Sequence, residues 1–136
     1  MNNRFKFRVW DKLAERMIYP HNDNQQHFII DLNGRFHNLQ NGSGGDDYVI
    51  QQYTGLTDSN DNPIYEDDIV KYNLDKPNIE RIGIIEFSYY YKGWAIKDSH
   101  CYPLSDFGVY SLASPFLSFN WTEIVGNIFE HENLLK

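Results

Sequence analysis

The chain has 136 residues, enough for one globular unit that buries roughly two-thirds of the surface its unfolded form exposes, without a disulfide or metal staple. Nine Phe, ten Tyr and three Trp lean the composition towards strands, because flat, stiff side chains fit a pleated surface. A formal net charge of −7 disfavours a duplex nucleic-acid binder, the single Cys101 excludes an internal disulfide framework, and no apolar run approaches a membrane span, so the chain reads as soluble and intracellular with no membrane partner.

In chain order, Phe5, Phe7 and Val9 alternate with Lys6, Arg8 and Trp10, the period-two pattern of a half-buried strand. On that strand Arg4, Lys6 and Arg8 share one face, read as solvated. Residues 16–19 return as a second strand that ends before Pro20, and residues 21–26 form a polar loop. HFIIDL and RFHNL flank Asn33-Gly34, which tolerates the positive φ angles of a type I′ hairpin turn. NGSGGDD (residues 41–47) carries three glycines and reads as a mobile loop and a subdomain boundary.

YVIQQY (residues 48–53) is the next strand-like run. Residues 53–72, YTGLTDSNDNPIYEDDIVKY, read as a turn-and-strand module that builds the fold. IERIGIIEFSYYY and GWAIKD then form a long hairpin with Lys92-Gly93 between them, and Gly83 marks a bulge or a close strand crossing. Residues 100–119 have no clean period, leaving a short helix and an irregular crossover both open. WTEIVGNIF reads as a strand and HENLLK as one helical turn. Many short strands with closely spaced turns imply a mainly β fold, a compact barrel or an orthogonal sandwich, with little helix.

No constellation meets the demands of catalysis or metal binding. Asp58, Asn60, Asn62 and Glu66 fall at calcium-loop positions, but Pro63 stands where the sharp turn needs glycine and Ile69 where a bidentate carboxylate belongs. His21, His27, His37, His100 and His131 are scattered, and no CxxC accompanies them. His100 and Cys101 are neighbours that a strand would point apart. GSGG (residues 42–45) lacks the lysine and hydroxyl residue of a phosphate loop. Glu66, Asp67 and Asp68 read as a solvated turn, since glycoside chemistry needs two carboxyls across one cleft. No catalytic, cofactor-binding or metal-ligating residue is assigned. The candidate interaction surface is Tyr89, Tyr90, Tyr91 and Trp94, residue types enriched at interface hot spots, although core packing is the commoner use of such a cluster.

QYTGLTDSNDNPIYEDDIVKY (residues 52–72) resembles the signature of the YopX family, small proteins of phages and prophages. FKFRVWDKLAERMIY (residues 5–19) resembles that family's N-terminal strand pair, and TEIVGNIFEHENLL (residues 122–135) its C-terminal end. The family usually has Asn-Gly where this chain has Asn60-Asp61, and Glu-Gly-Asp where it has Glu66-Asp67-Asp68. Aspartate tolerates left-handed backbone at modest cost, which suits a turn-forming role. The resemblance implies an SH3-like β-barrel in the C-terminal part (residues 48–136) after an N-terminal β-hairpin subdomain (residues 1–47). It also implies a phage or prophage origin and work in the bacterial cytoplasm, with no established activity. The expectation is a non-enzymatic accessory protein acting through protein–protein contacts, as a homo-oligomer or with a host or phage protein. The alternative is a small barrel associated with single-stranded nucleic acid through aromatic platforms.

Overall fold

The computed structural model describes residues 5–19, 27–74, 79–107 and 121–135. The protein is mainly β: the described residues form antiparallel strands β1 to β11, and helix is confined to short 3-10 turns. Of the expected features, the polar loop at residues 21–26 and most of the crossover (108–119) lie outside the described residues. The chain divides into two compact units, Met1–Tyr53 and Thr54–Lys136, and the division falls inside β5 (Tyr48–Thr57).

In the first unit β1 (Phe7–Asp11) lies between β2 (Arg16–Ile18) and the first part of β5, antiparallel to both. Val9 faces Ile18 on one side and Ile50 on the other. Val9, Ile18 and Phe36 form the core of this unit, with Phe28, Ile30, Tyr48 and Ile50 packed against it. The expected solvated face of β1 does not exist as such. Arg8 is 3% exposed, and its Nε donates to Oε1 of Gln51, its cross-strand partner, at 2.6 Å. A strand paired on both sides brings a polar partner to a buried guanidinium, which makes its burial tolerable. Arg8 also lies 6.0 Å from the Tyr19 ring, whereas Phe5, expected to be half-buried, is exposed. Lys6 is exposed, its Nζ 5.4 Å from the Tyr53 ring centroid, and Arg4 lies outside the described residues.

β3 (Phe28–Ile30) and β4 (Phe36–Asn38) form the hairpin expected around Asn33-Gly34, but not through a type I′ turn. Of that pair Gly34 alone is left-handed (φ 78). The Asp31 carboxylate accepts hydrogen bonds from the amides of Asn33 and Arg35 at 2.9 and 3.0 Å, and the Gly34 amide donates to Asp31 O. This is the pattern of a type I turn closed by a left-handed glycine. The glycine-rich stretch carries hydrogen bonds of its own: Gly44 bridges to His37, Gly42 donates to Asn38 O, and a 3-10 turn (Gly45–Asp47) leads into β5.

The second unit contains the rest of β5, β6 (Pro63–Tyr65), β7 (Asp68–Leu74), β8 (Ile79–Ser88), β9 (Gly93–Lys97), β10 (Cys101–Pro103) and β11 (Trp121–Asn127). Five of these form a curled antiparallel sheet in the order β10-β9-β8-β7-β11, a half-barrel. Ile64, Val70, Tyr72, Ile85, Ile96, Leu104 and Phe107 fill its core. Gly83 pairs with Val70 in unbroken register, and a Cβ there would stand 2.7 Å from Ile96 Cγ2. It therefore marks a close strand approach; the bulge in this sheet is between Ile124 and Gly126 of β11. The chain end closes with a 3-10 turn (Glu132–Leu135).

Residues 58–68 join these strands through carboxylates that bond backbone. Asp58 is 4% exposed: Oδ1 accepts from the amides of Asn60 and Asn62, both at 2.9 Å, and Oδ2 from the Ile124 amide at 3.0 Å. Asp61 and Asp67, where the resemblance leads one to expect glycine, both adopt φ 66, the left-handed backbone that a glycine position implies. The Asp67 amide donates to Ile85 O, and Asp67 O accepts from the Ile128 amide. Asp68 is not solvated, contrary to expectation. It is buried, and its Oδ2 accepts from the Tyr65 amide at 2.8 Å, satisfying a donor the turn would otherwise orphan.

Candidate interaction surface at the hairpin tip

β8 and β9 stay in register up to Ser88 opposite Gly93, leaving Tyr89, Tyr90, Tyr91 and Lys92 as the turn. Lys92 rather than Gly93 takes the left-handed conformation (φ 54), and Ser88 Oγ accepts from the Tyr91 amide at 3.2 Å. A local hydroxyl acceptor and one left-handed residue close the turn, so the three tyrosine side chains need not turn inward. Tyr89 and Tyr90 are 88% and 86% exposed. Tyr91 is less so, because its ring packs edge-on to Tyr90 and its hydroxyl donates to Cys101 O at 3.2 Å.

Trp94 separates from the tyrosines. It is half-buried and packs against the core of the half-barrel. Phe87, its cross-strand partner, bridges the two groups, edge-on to Trp94 at 5.7 Å and to Tyr89 at 5.5 Å, and remains 44% exposed. The exposed aromatic residues of the tip are thus Phe87, Tyr89, Tyr90 and Tyr91, with Phe87 packed on Trp94. Sequence reasoning missed Phe87, although a hairpin closed at Ser88 and Gly93 places it directly opposite Trp94.

A second cluster was not anticipated. Tyr72 of β7 faces Arg81 of β8 across the ladder, and the Tyr72 hydroxyl donates to Asp98 Oδ2. Arg81 Nη1 donates to the Tyr102 hydroxyl at 3.2 Å and approaches His100 Nδ1 at 3.3 Å. Burial, then the hydrogen bond and negative charge of Asp98, push the Tyr72 hydroxyl well above its usual pKa. For Asp98 burial acts upward, but the Tyr72 hydroxyl and the His100 amide outweigh it and hold the carboxyl below its usual range. The signal for this cluster was the β7–β8 register, which brings together residues spaced without any motif.

The sequence Asp98-Ser99-His100 does not make an acyl-transfer triad. Ser99 Oγ at 3.0 Å and Asp98 Oδ1 at 3.7 Å both approach the same ring nitrogen, Nδ1, whereas proton relay needs one partner on each nitrogen. The other described histidines sit apart. His27 packs on Phe28, His37 Nε2 bonds Asp31 Oδ2 at 2.9 Å, and His131 Nδ1 accepts from the Asn127 amide. The His37 bond is the main cause that lowers the Asp31 pKa. Among the described residues no three His, Cys, Asp or Glu side chains gather as metal ligands would.

The family described as YopX protein matches residues 6–136. Protein yopX from Bacillus subtilis has a similar structure, with a TM-score of 0.59 and 20% identity, covering 98% of this chain and 99% of that one. Protein EF1440 from Enterococcus faecalis is similar at a TM-score of 0.51 and 23% identity, covering 96% of this chain and 97% of that one. At these identities the likeness concerns the fold. No curated protein shows significant similarity to the chain.

Proposed function

The chain belongs to the YopX family, and on that premise we propose that it is a phage or prophage accessory protein of the bacterial cytoplasm that acts through protein–protein contacts, with the β8–β9 tip as the docking surface. The observation that carries this reading is the exposure of Tyr89 and Tyr90 beside Phe87, on a turn fixed by Ser88 and Lys92. Tyrosine offers large contact area for little conformational entropy, and a rigid tip loses little more on binding. Exposed tyrosines also stack on bases, but single-strand binding needs a basic groove beside them. Arg8 is buried against Gln51, while Lys71 and Lys97 pair with Glu80 and Glu86 at 3.4 Å.

Affinity capture from host cells, comparing the wild-type chain with Tyr89→Ala/Tyr90→Ala, tests the proposal. A partner held by the wild type and weakened about tenfold or more by the double substitution is expected, because hot-spot tyrosines lose that much on truncation. Identical capture by both proteins, or binding of short single-stranded DNA or RNA abolished by the same variant, overturns it.

A further inference from the structure

Two Asn-Gly pairs, Asn33-Gly34 and Asn41-Gly42, lie exposed within the first unit, apart from the tyrosine tip. Asparagine before glycine is the setting for an intramolecular reaction: the following main-chain nitrogen lies close to the asparagine Cγ, and glycine has no side chain to hinder its attack. In most respects the two pairs are matched. Both glycines are left-handed, at φ 78 and 72, and a Cβ on either would meet nothing within 4 Å, so neither is crowded. Each glycine amide donates one main-chain hydrogen bond, Gly34 to Asp31 O and Gly42 to Asn38 O, both at 2.9 Å. The carboxamides differ. Asn41 Oδ1 accepts from the Ser43 amide at 2.9 Å and from Ser43 Oγ at 2.6 Å, and that hydroxyl is also bonded to Tyr48. The Asn33 carboxamide has no hydrogen-bond partner among the described residues; only its main-chain amide is engaged, by Asp31 Oδ1. Asn33 also sits at the tip of a hairpin whose three-residue strands pair only with each other among the described residues, a short ladder that opens locally at little cost.

We propose that Asn33 is a self-modification site, where attack by the Gly34 nitrogen converts the asparagine to a mixture of aspartate and isoaspartate, while Asn41 is held back by Ser43. A base from solvent takes the Gly34 amide proton, and the nitrogen forms a bond to Asn33 Cγ. The Cγ–Nδ2 bond breaks; its nitrogen keeps the electron pair, gains a proton and leaves as ammonia, closing a cyclic imide. Water then adds to one of the two imide carbonyls. Breaking the bond between Gly34 N and Cγ gives aspartate. Breaking the bond between Gly34 N and the Asn33 main-chain carbon gives isoaspartate, whose chain runs through the former side chain. Nothing is oxidised or reduced, and water is the one co-reactant. Opening the glycine amide is a cost common to both pairs, whereas only Asn41 must also release its Oδ1 from two donors. The product matters to the hairpin. Asp31 Oδ1 accepts from the amides of Asn33 and Arg35 at 2.9 and 3.0 Å, and isoaspartate inserts a methylene into the chain between them. The oxygen that closes this turn then loses at least one of its two donors.

Peptide mapping by mass spectrometry tests the proposal on the native full chain, aged in mildly alkaline buffer beside the same chain unfolded in urea. Each site's native rate is divided by its own rate in the unfolded chain, which removes the effect of local sequence. On that scale Asn33 is expected to exceed Asn41 by about tenfold, the factor that roughly one net hydrogen bond adds to a barrier. Its products include both aspartate and isoaspartate, and amide exchange at Arg35 is faster in the aged fraction. Ser43→Ala removes one of the two donors on Asn41 and is expected to speed that site while leaving Asn33 unchanged. Equal rates at the two sites on that scale, or an Asn33 that stays intact while the unfolded chain converts, overturns the proposal. So does aspartate as the sole product, which would mean direct hydrolysis without Gly34, or an Asn41 that Ser43→Ala does not speed.

Discussion

Replacing Asp58 tests whether the turn is held by a carboxylate that serves two places at once. One oxygen holds the Asn60 and Asn62 amides within its own turn, and the other reaches 66 residues along the chain to the Ile124 amide in β11. Asp58→Ala removes both acceptor oxygens and with them all three hydrogen bonds. The turn amides lie beside exposed residues and regain water, whereas the Ile124 amide lies within a paired strand. Hydrogen bonds to charged groups contribute about 1.5–3 kcal/mol, and an orphaned buried donor costs about 1–3 kcal/mol. Together these place the loss at about 3 kcal/mol. Asp58→Asn keeps one carbonyl oxygen, which satisfies either the turn or Ile124 but not both, while its NH2 confronts the remaining donor. About half the loss, on the order of 1.5 kcal/mol, is expected. Urea unfolding with an unchanged m-value measures both, and amide exchange reads Ile124 directly. If the two variants are equally stable, or both lie within about 0.5 kcal/mol of wild type, the range of ordinary surface substitutions, the bridging role is wrong.

Gly83→Ala places a methyl 2.7 Å from Ile96 Cγ2 and 3.0 Å from Lys97 O, and is expected to cost about 1–3 kcal/mol in thermal or urea unfolding. Adding Ile96→Val should recover part of that loss if the contact is the cause. At Asp61, where φ is 66, glycine is expected to be more stable than alanine by about 1 kcal/mol, measured as the difference between the two unfolding free energies. The Tyr72–Asp98 pair gives a stability plateau with two edges. Asp98 has a lowered folded pKa, so its contribution is full above the unfolded value of about 3.9 and lost as pH falls through the folded one. Tyr72 has a raised folded pKa, so its contribution is full below about 10 and lost as pH rises beyond it. Melting temperatures of Tyr72→Phe and Asp98→Asn across pH should each flatten one edge; a profile parallel to wild type in either variant refutes that assignment.

The hairpin around Asn33-Gly34 was legible because glycine and a short apolar run on each side are local signals. The turn type was not, because Asp31, outside the dipeptide, supplies the acceptor that selects it. Asp61 and Asp67 were legible as left-handed positions once the glycines that the resemblance implies were set beside them. The burial of Arg8 was hidden for a different reason. Alternation assigns faces but does not say that a strand is central, and only the pairing with β5 brings Gln51 to the guanidinium. The tyrosine tip was readable as a cluster, yet its division into exposed tyrosines and a core-packed Trp94 depends on where the hairpin register ends. The Tyr72–Arg81–Asp98 cluster was invisible for the same reason, since three strand residues become neighbours only after the sheet is assembled.

The long reach from Asp58 to Ile124 also sets an order of events during synthesis. β7 can pair with β8 through a short connection as soon as both have left the ribosome, but its opposite flank waits for β11, made much later. Until then β7 carries an unguarded edge, the Ile124 amide has not arrived at the Asp58 carboxylate, and the nascent chain presents a strand able to recruit others. A chain stalled before residue 121 is therefore expected to depend on chaperones in a way the finished chain does not.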